Sequence, residues 1–332
     1  MSTAQPSPLV SVVLPTYNGA KYLGEALKSL QMQTFSDFEI LVIVDGSTDN
    51  TIELLRAWSD ARVRVVARAD NLGLATSINH GLSLARGDLI ARFDDDDLCH
   101  PERLERQVDF LNRHNDIHIV GSAAELIGGE TGVRVLPSDD SWIKAAMLEG
   151  TGFIAHPSSM FRRAFVTDNQ IKADPRLIAC EDLGFWVDCI EAGARFSNLA
   201  EPLIKHRCHA QNISSSTDPG LRQASVNTVR RRIMGLYWPT LTNEQISAAL
   251  LLWNNKALDL VALERAAATV SRCVQSPQQD WGQYHARTNE ILMVWLRIAV
   301  TRARLSGEYG AMDATGMIGR YPELAPFLVP EL

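Results

Sequence analysis

Four short apolar runs, each followed by residues at helical spacing, occupy the first hundred positions and leave few folds open to this chain. Val10–Leu14 has the pattern of a buried strand closed by Pro15. Leu23, Ala26, Leu27 and Leu30 then share one helical face, and Thr34–Asp37 closes the helix. Ile40–Val44 predicts the second strand, and Asp49 predicts the cap of a helix carrying Ile52, Leu55 and Trp58. Val63–Ala67 predicts the third. Gly73–Ala85 predicts a helix with Leu74, Ile78, Leu82 and Ala85 on one face, ended by Gly87. Asp88–Phe93 predicts a fourth strand, which delivers four consecutive aspartates, Asp94 to Asp97. Strand–helix units repeated in this way predict an α/β fold, a mostly parallel sheet flanked by helices. Ligands of such sheets bind at the carboxyl ends of the strands. Val44-Asp45 and Phe93-Asp94 both lie at such ends, so two sets of carboxylates converge on one crevice.

Further along, Leu104, Val108 and Leu111 predict a helix after Pro101, and a strand follows near Ile117–Gly121. Residues 123–160, rich in Gly and Ser, read as irregular or antiparallel structure. Glu181–Ala192 predicts a helix, and Phe196–Arg207 predicts strands around a turn at Glu201-Pro202. Beyond Asp218 the pattern is helical without strand–turn punctuation. The polar stretch Ser214–Gly220 therefore separates a domain of residues 1–219 from a helical region of residues 220–332.

The net charge of −7 supplies no overall positive field for a nucleic acid. Five cysteines, Cys99, Cys180, Cys189, Cys208 and Cys273, form an odd set without a CxxC pair, which reads as a reducing compartment. The start MSTAQPSPLV lacks the basic and apolar regions of a signal peptide, and no apolar stretch reaches the roughly 20 residues that span a bilayer. The expected location is the cytoplasm, at most peripheral to the inner face of the cell membrane.

The aspartate run carries the clearest chemical reading. Acidic runs are commonly solvated turns. At a strand end, however, residues two apart on extended backbone point to one side, so Asp94 and Asp96 can aim at one ion while Asp95 points away. Two carboxylates with substrate phosphates are the usual way to hold Mg²⁺ or Mn²⁺, and the ion then neutralises a leaving diphosphate. Asp45 is either ordinary Asp-Gly-Ser turn chemistry or an acceptor for a base or ribose. Tyr17, just after the first strand, offers a face for stacking. Glu181-Asp182 either caps the helix that follows or places a general base beside the crevice. His156, His206 and His209 stand as scattered singles. The match of Gly150–Ala155 to GxGxxA follows no strong strand and is set aside, and no phosphate-loop pattern exists.

Taken together, these words resemble family 2 glycosyltransferases. The matching segments are SVVLPTYNG from Ser11, LQMQTF from Leu30, VDGSTDNT from Val44, the stretch 70–97, HPERLERQVDFL from His100, HPSSMFRR from His156 and CEDLGFWVDC from Cys180. They run in order across residues 10–210. The resemblance implies the GT-A fold, a nucleotide-sugar donor with a UDP-sugar favoured, a divalent cation, and inversion at the transferred sugar. It implies Asp182 as the base. Pro15, Tyr17, Asp45, Asn71, Asp94 and Asp95 would bind the nucleotide sugar, with Asp94, Asp96 and His209 at the metal. Val44 stands where the family carries a first acidic residue before Asp45. HRCHAQNISS from His206 resembles a later family element and is the source of the His209 expectation. The implied acceptor is a glycan or lipid-linked glycan of surface polysaccharide synthesis. The helical tail, with Arg230-Arg231-Arg232, is expected to serve the acceptor side, a homo-oligomeric contact or a peripheral membrane contact, or else to be a plain packing domain. A nucleotidyltransferase-like enzyme and a non-catalytic carbohydrate-binding homologue are the competing readings.

Overall fold

A computed structural model describes residues 7–151, 153–253, 258–276, 284–305 and 319–324. Six residues of the start MSTAQPSPLV, and Gly152 of the glycine match, lie outside the described residues. The chain divides into two compact units, Met1–Ile143 with Gly152–Ser225, and Lys144–Thr151 with Val226–Leu332.

The first unit is built on a sheet whose strands are β1 Val10–Thr16, β2 Phe38–Asp45, β3 Val63–Arg68, β4 Leu89–Arg92, β5 Leu98–Cys99, β6 Ile119–Gly128, β7 Gly132–Arg134, β8 Met160–Arg162 and β9 Phe196–Cys208. Their order is β3-β2-β1-β4-β8-β6-β9-β5, with β7 paired to β6. β3, β2, β1 and β4 are mutually parallel, as βαβ units require. Beyond them the sheet is mixed: β8 runs antiparallel to β4 and β6, β9 is parallel to β6, and β5 is antiparallel to β9. Helices α1 Leu23–Gln31, α2 Thr51–Ala57, α3 Leu74–Leu84 and α4 Arg103–Arg113 connect the early strands. Every residue of β1 and β2 is buried, so these strands read as near-continuous apolar runs, interrupted by Ser11 in β1 and Glu39 in β2.

The chain leaves β1 toward β2 on one side, whereas β4 lies on the other. The carboxyl ends of β1 and β4 therefore flank the reversal point of the strand order, where open α/β sheets make their crevice. At the opposite end of these strands, buried Glu39 binds Ser11 and Arg86 and closes the bottom of the layer.

Several local expectations change. Pro15 does not end β1; it is paired with Ile43 in register, past Val13 where β4 stops, so its missing N–H costs no bond to β4. Asn50, not Asp49, is the cap residue of α2, while the Asp49 carboxylate accepts from the amides of Ala20 and Thr51. α3 is capped at Ala85. Gly87 instead permits close approach to β1, because a Cβ there would stand 2.5 Å from the Ser11 nitrogen. The stretch 123–160 is more regular than its composition suggests, since β6 continues to Gly128 and α5 Asp140–Glu149 follows. After α6 Arg163–Asp168 and α7 Glu181–Glu191, β9 passes straight through Glu201-Pro202. Its register against β6 slips there, from Leu199 opposite Ser122 to Pro202 opposite Ala123.

α8 Ile213–Ser216 and the start of α9 Pro219–Tyr237 complete the first unit. In the second, α9 continues from Val226, followed by α10 Asn243–Leu250, α11 Leu260–Gln275 and α12 Tyr284–Leu305. Its core includes Ile233, Trp238, Leu263, Val270, Leu292 and Leu296. The three arginines of α9 are not one surface patch. Arg230 is buried, donates to the carbonyls of Leu148 and Glu149 and lies 4.8 Å from the Trp253 ring centroid. Among the described residues no helix is long and apolar enough to cross a membrane.

Candidate active site

The ends of β1, β2 and β4 meet through three interlocked loops. Asn18, at φ 54°, accepts from the Thr48 amide at 2.7 Å, and its own N–H donates to Ser47 Oγ at 3.0 Å. These bonds tie the loop after β1 to the loop after β2. Tyr17 between them is 50% exposed, so its ring is open for stacking. Asp45, the last residue of β2, is buried and accepts from Arg68 at 2.6 Å and from the amides of Leu72 and Gly73 at 2.9 and 2.8 Å. It thereby pins loop 69–73, in which exposed Asn71 accepts from the Gly73 amide. Gly46 is obligatory at this crossing: φ is +69°, and a Cβ would stand 2.5 Å from the Asn71 nitrogen.

The four aspartates do not continue β4 as extended chain. Asp95 and Asp96 form a turn, and this turn brings the carboxylates of Asp94, Asp96 and Asp97 within 4.8 Å of one another. The strict alternation expected for extended backbone is therefore replaced by a trio that includes Asp97. Asp95 points away as expected, to Thr16 Oγ1 at the end of β1. Burial pushes the Asp95 carboxyl up to about 6.

The trio is unequal. Asp94 pairs with Arg92 at 2.5 Å; burial opposes its charge, but the guanidinium holds the carboxyl below the usual range. Asp96 accepts from His209 Nε2 and Asn212 Nδ2, both at 3.0 Å. Burial, then the charges of Asp94, Asp97 and Asp95, push it up to about 8. Asp97 is fully buried, accepts from the Arg207 amide at 2.8 Å, and lies 3.2 Å from His206 Nδ1. Burial raises the Asp97 carboxyl as it does that of Asp96; two carboxyls that resist ionising beside a charged third, with only oxygen donors in the trio, fit a hard divalent cation of the Mn²⁺ or Mg²⁺ kind. His209 touches Asp96 from outside the trio, and its ring is kept neutral by burial and by Lys21 and Arg207. Lys21 and Arg207 both lie over the Tyr22 ring, at 4.7 and 4.5 Å from its centroid, so cationic groups border the acidic turn.

α7 brings the second carboxylate pair. Its cap residue is Cys180, which makes no side-chain capping bond, and Asp182 accepts the neighbouring Leu183 amide at 2.7 Å. Burial pushes Glu181 up to about 7, with Asp182 and Asp94 adding to it. Burial likewise raises Asp182, against the pull of Arg222, and Asp94 raises it further. These surroundings make the Asp182 carboxyl harder to ionise than that of an exposed aspartate. Buried Trp186 fixes the far side of the helix and meets the His156 ring edge-on at 5.5 Å; burial drives that histidine down to about 3.

Sequence reasoning passed over Arg92, Asp97, Arg207 and Thr16. Arg92 stands two residues before Asp94 on a strand, a spacing that could have paired them. Asp97 was visible in the run itself. Thr16 and Arg207 meet the turn only through tertiary contact.

The sequence profile of Glycosyl transferase family 2 matches residues 11–167. EpsE of Bacillus subtilis, named as a glycosyltransferase, is 35% identical over 205 residues, covering 60% of this chain and 73% of that protein. The chain belongs to glycosyltransferase family 2. An uncharacterized glycosyltransferase of Haemophilus influenzae is 33% identical over 222 residues, 63% of this chain and 68% of that one. Among solved structures, S. aureus TarS 1-349 in complex with UDP-GlcNAc matches with a TM-score of 0.63 at 19% identity, covering 92% of this chain and 94% of that one. The mannosyltransferase PcManGT of Pyrobaculum calidifontis, in complex with GDP-Man and Mn2+, matches with a TM-score of 0.54 at 16% identity, covering 90% and 87%. The fold is GT-A. As a family 2 glycosyltransferase the chain is an enzyme, which displaces the nucleotidyltransferase and non-catalytic readings.

Proposed function

We propose that this family 2 glycosyltransferase moves a sugar from a nucleoside diphosphate donor, a UDP-sugar first, to an acceptor hydroxyl with inversion. One observation supports the reading: Asp94 of the acidic turn after β4 lies near enough to Glu181 and Asp182 of α7 for its charge to act on both carboxyls. In-line displacement needs a proton acceptor on one face of the sugar and charge neutralisation at the leaving group on the other. Asp182 takes the proton of the acceptor hydroxyl; its raised pKa makes it a stronger base than an ordinary aspartate. Asp94 and Asp96, with His209 at the margin, would hold Mn²⁺ or Mg²⁺, which would supply positive charge to neutralise the leaving diphosphate. Lys21 and Arg207 add positive charge beside it. Tyr17 stacks the base, and Pro15, Asp45, Asn71 and Asp95 complete the nucleotide-sugar contacts. The UDP preference follows the TarS complex, and the cation follows the PcManGT complex together with the oxygen donors of the turn.

Residues 1–219 carry the transfer in this reading. The helical region 220–332 shapes the acceptor side, an oligomer contact or a peripheral contact at the inner face of the membrane. The acceptor is a glycan or lipid-linked glycan of surface polysaccharide synthesis. The test is a panel of UDP-, dTDP- and GDP-sugars, with release of the nucleoside diphosphate followed with Mn²⁺ and with excess chelator. Release from a UDP-sugar that chelator abolishes is expected. Full turnover in chelator would remove the metal, and release from GDP-sugars alone would remove the donor assignment.

A further inference from the structure

Arg103, the first residue of α4, is fully buried, yet its hydrogen bonds go to neutral groups. Nη2 donates to the carbonyl of Arg92 at 2.8 Å and to that of Ser159 at 3.2 Å. Nε donates to Gln107 Oε1 at 3.1 Å, and Nη1 reaches Cys99 Sγ at 3.9 Å. The guanidinium also lies 5.5 Å from the Phe93 ring centroid. Among the described residues no carboxylate hydrogen-bonds this guanidinium, although the charge of Asp97 acts on it; a buried cation without a bonded carboxylate is costly, so this side chain is an expensive way to pack a helix. Its contacts have one geometric sense. Arg92 and Phe93 immediately precede the four aspartates, and Cys99 follows them two residues on.

The geometry points to Arg103 as the positioning residue of the acidic turn: one buried guanidinium joins the chain before Asp94 to the chain after Asp97 and so holds Asp94 and Asp96 at the separation a divalent cation needs. The inference rests on the metal reading proposed above. Holding the Arg92 carbonyl also fixes the strand end from which the Arg92 side chain reaches Asp94. Ser159, the third attachment, donates its amide to the His156 carbonyl. Lysine cannot substitute, because a point charge with one short reach lacks the planar fork that spans these partners. Gln107 is the outer support: it accepts from Arg103 and donates to the Ser158 carbonyl at 2.7 Å.

The experiment is Mn²⁺ titration of the full chain, read by electron paramagnetic resonance, for the wild type, Arg103→Lys, Gln107→Met and Arg162→Lys. Arg162 is the control for lost stability. It is a clamp of the same chemistry, donating to the carbonyls of Ile117, Leu111 and His114 away from the turn. Arg103→Lys should bind Mn²⁺ about 10–100-fold more weakly, the usual cost of losing an outer-shell support, with a changed spectrum of the bound ion. Gln107→Met, a smaller lesion for the case in which Arg103→Lys does not fold, should lose affinity in the same direction. Arg162→Lys should lower the melting temperature and leave affinity unchanged. Wild-type affinity and spectrum in folded Arg103→Lys or Gln107→Met would overturn the inference while leaving the metal reading intact. So would an equal loss in Arg162→Lys. A wild type that binds no Mn²⁺ would end the metal reading and this inference with it.

Discussion

Replacing Asp96 with asparagine exchanges one ionisable carboxyl of a turn that carries four for a neutral amide. Without a cation, burial and the neighbouring aspartates push the Asp96 carboxyl up to about 8, whereas in the unfolded chain it titrates at about 3.9. The folded-state value is the higher one, so folding takes up a proton between these values and stability falls as pH rises across that window. At pH 7 the ceiling on this cost is about three pKa units, or ~4 kcal/mol. Side-chain relaxation in a partly exposed turn should leave about 1–3 kcal/mol of it. Asparagine keeps an oxygen to accept from His209 and Asn212 and carries no such cost. In chelator, Asp96→Asn should therefore melt above the wild type at pH 7–8, by roughly 2–12 °C at about 2–4 °C per kcal/mol. The gap should close toward pH 4. Mn²⁺ should reverse the order, stabilising the wild type by about 4.1 kcal/mol at a thousandfold excess over Kd while leaving the variant unmoved. Thermal melts from pH 4 to pH 8, with chelator and with Mn²⁺, check both halves. A variant that melts below the wild type in chelator at pH 8 would refute the repulsion argument.

Asp182→Asn keeps an acceptor for the Leu183 amide, so its melting temperature should hold or rise at neutral pH while kcat falls roughly 10²–10⁴-fold. Because burial raises Asp182, the acid limb of the wild-type kcat profile should lie above the ordinary aspartate range; a folded variant with near-normal kcat ends the assignment. In Gly19→Ala the new methyl would land on the Asp95 carboxylate and Thr16 Oγ1; a loss of about 1–3 kcal/mol is expected, and an unchanged urea midpoint would count against that packing. Arg230→Met strands the carbonyls of Leu148 and Glu149 and should cost about 2–4 kcal/mol, measured by urea denaturation.

The parallel half of the sheet was legible because β1, β2 and β4 are covered on both faces and announce themselves as apolar runs. β3, at the sheet edge with mixed exposure, was legible through its spacing between turn signals. α5 was not, since Gly128, Gly129, Gly132, Pro137 and Gly150 surround it and mask ten residues of helix. The slip in β9 was misread as a turn because Glu201-Pro202 has turn composition, and only pairing with β6 keeps the strand continuous. At the site, the aspartate run marked its own position, but the shape of the turn depends on partners far along the chain. Thr16, His206, Arg207 and Asn212 each touch it across more than 75 residues of sequence, a distance that local spacing cannot bridge.

The slip in β9 also decides where this chain has room to change length. A residue added at Ala200 or Glu201 falls where the pairing with β6 is already out of step, and the looped-out stretch can absorb it. From Ile204 to Cys208 the two strands run in strict step. One extra residue there would turn every later side chain to the opposite face, carrying His206 away from Asp97 and His209 away from Asp96. Descendants of this sequence can therefore lengthen before the slip at little cost, whereas a single insertion a few positions later dismantles one wall of the crevice.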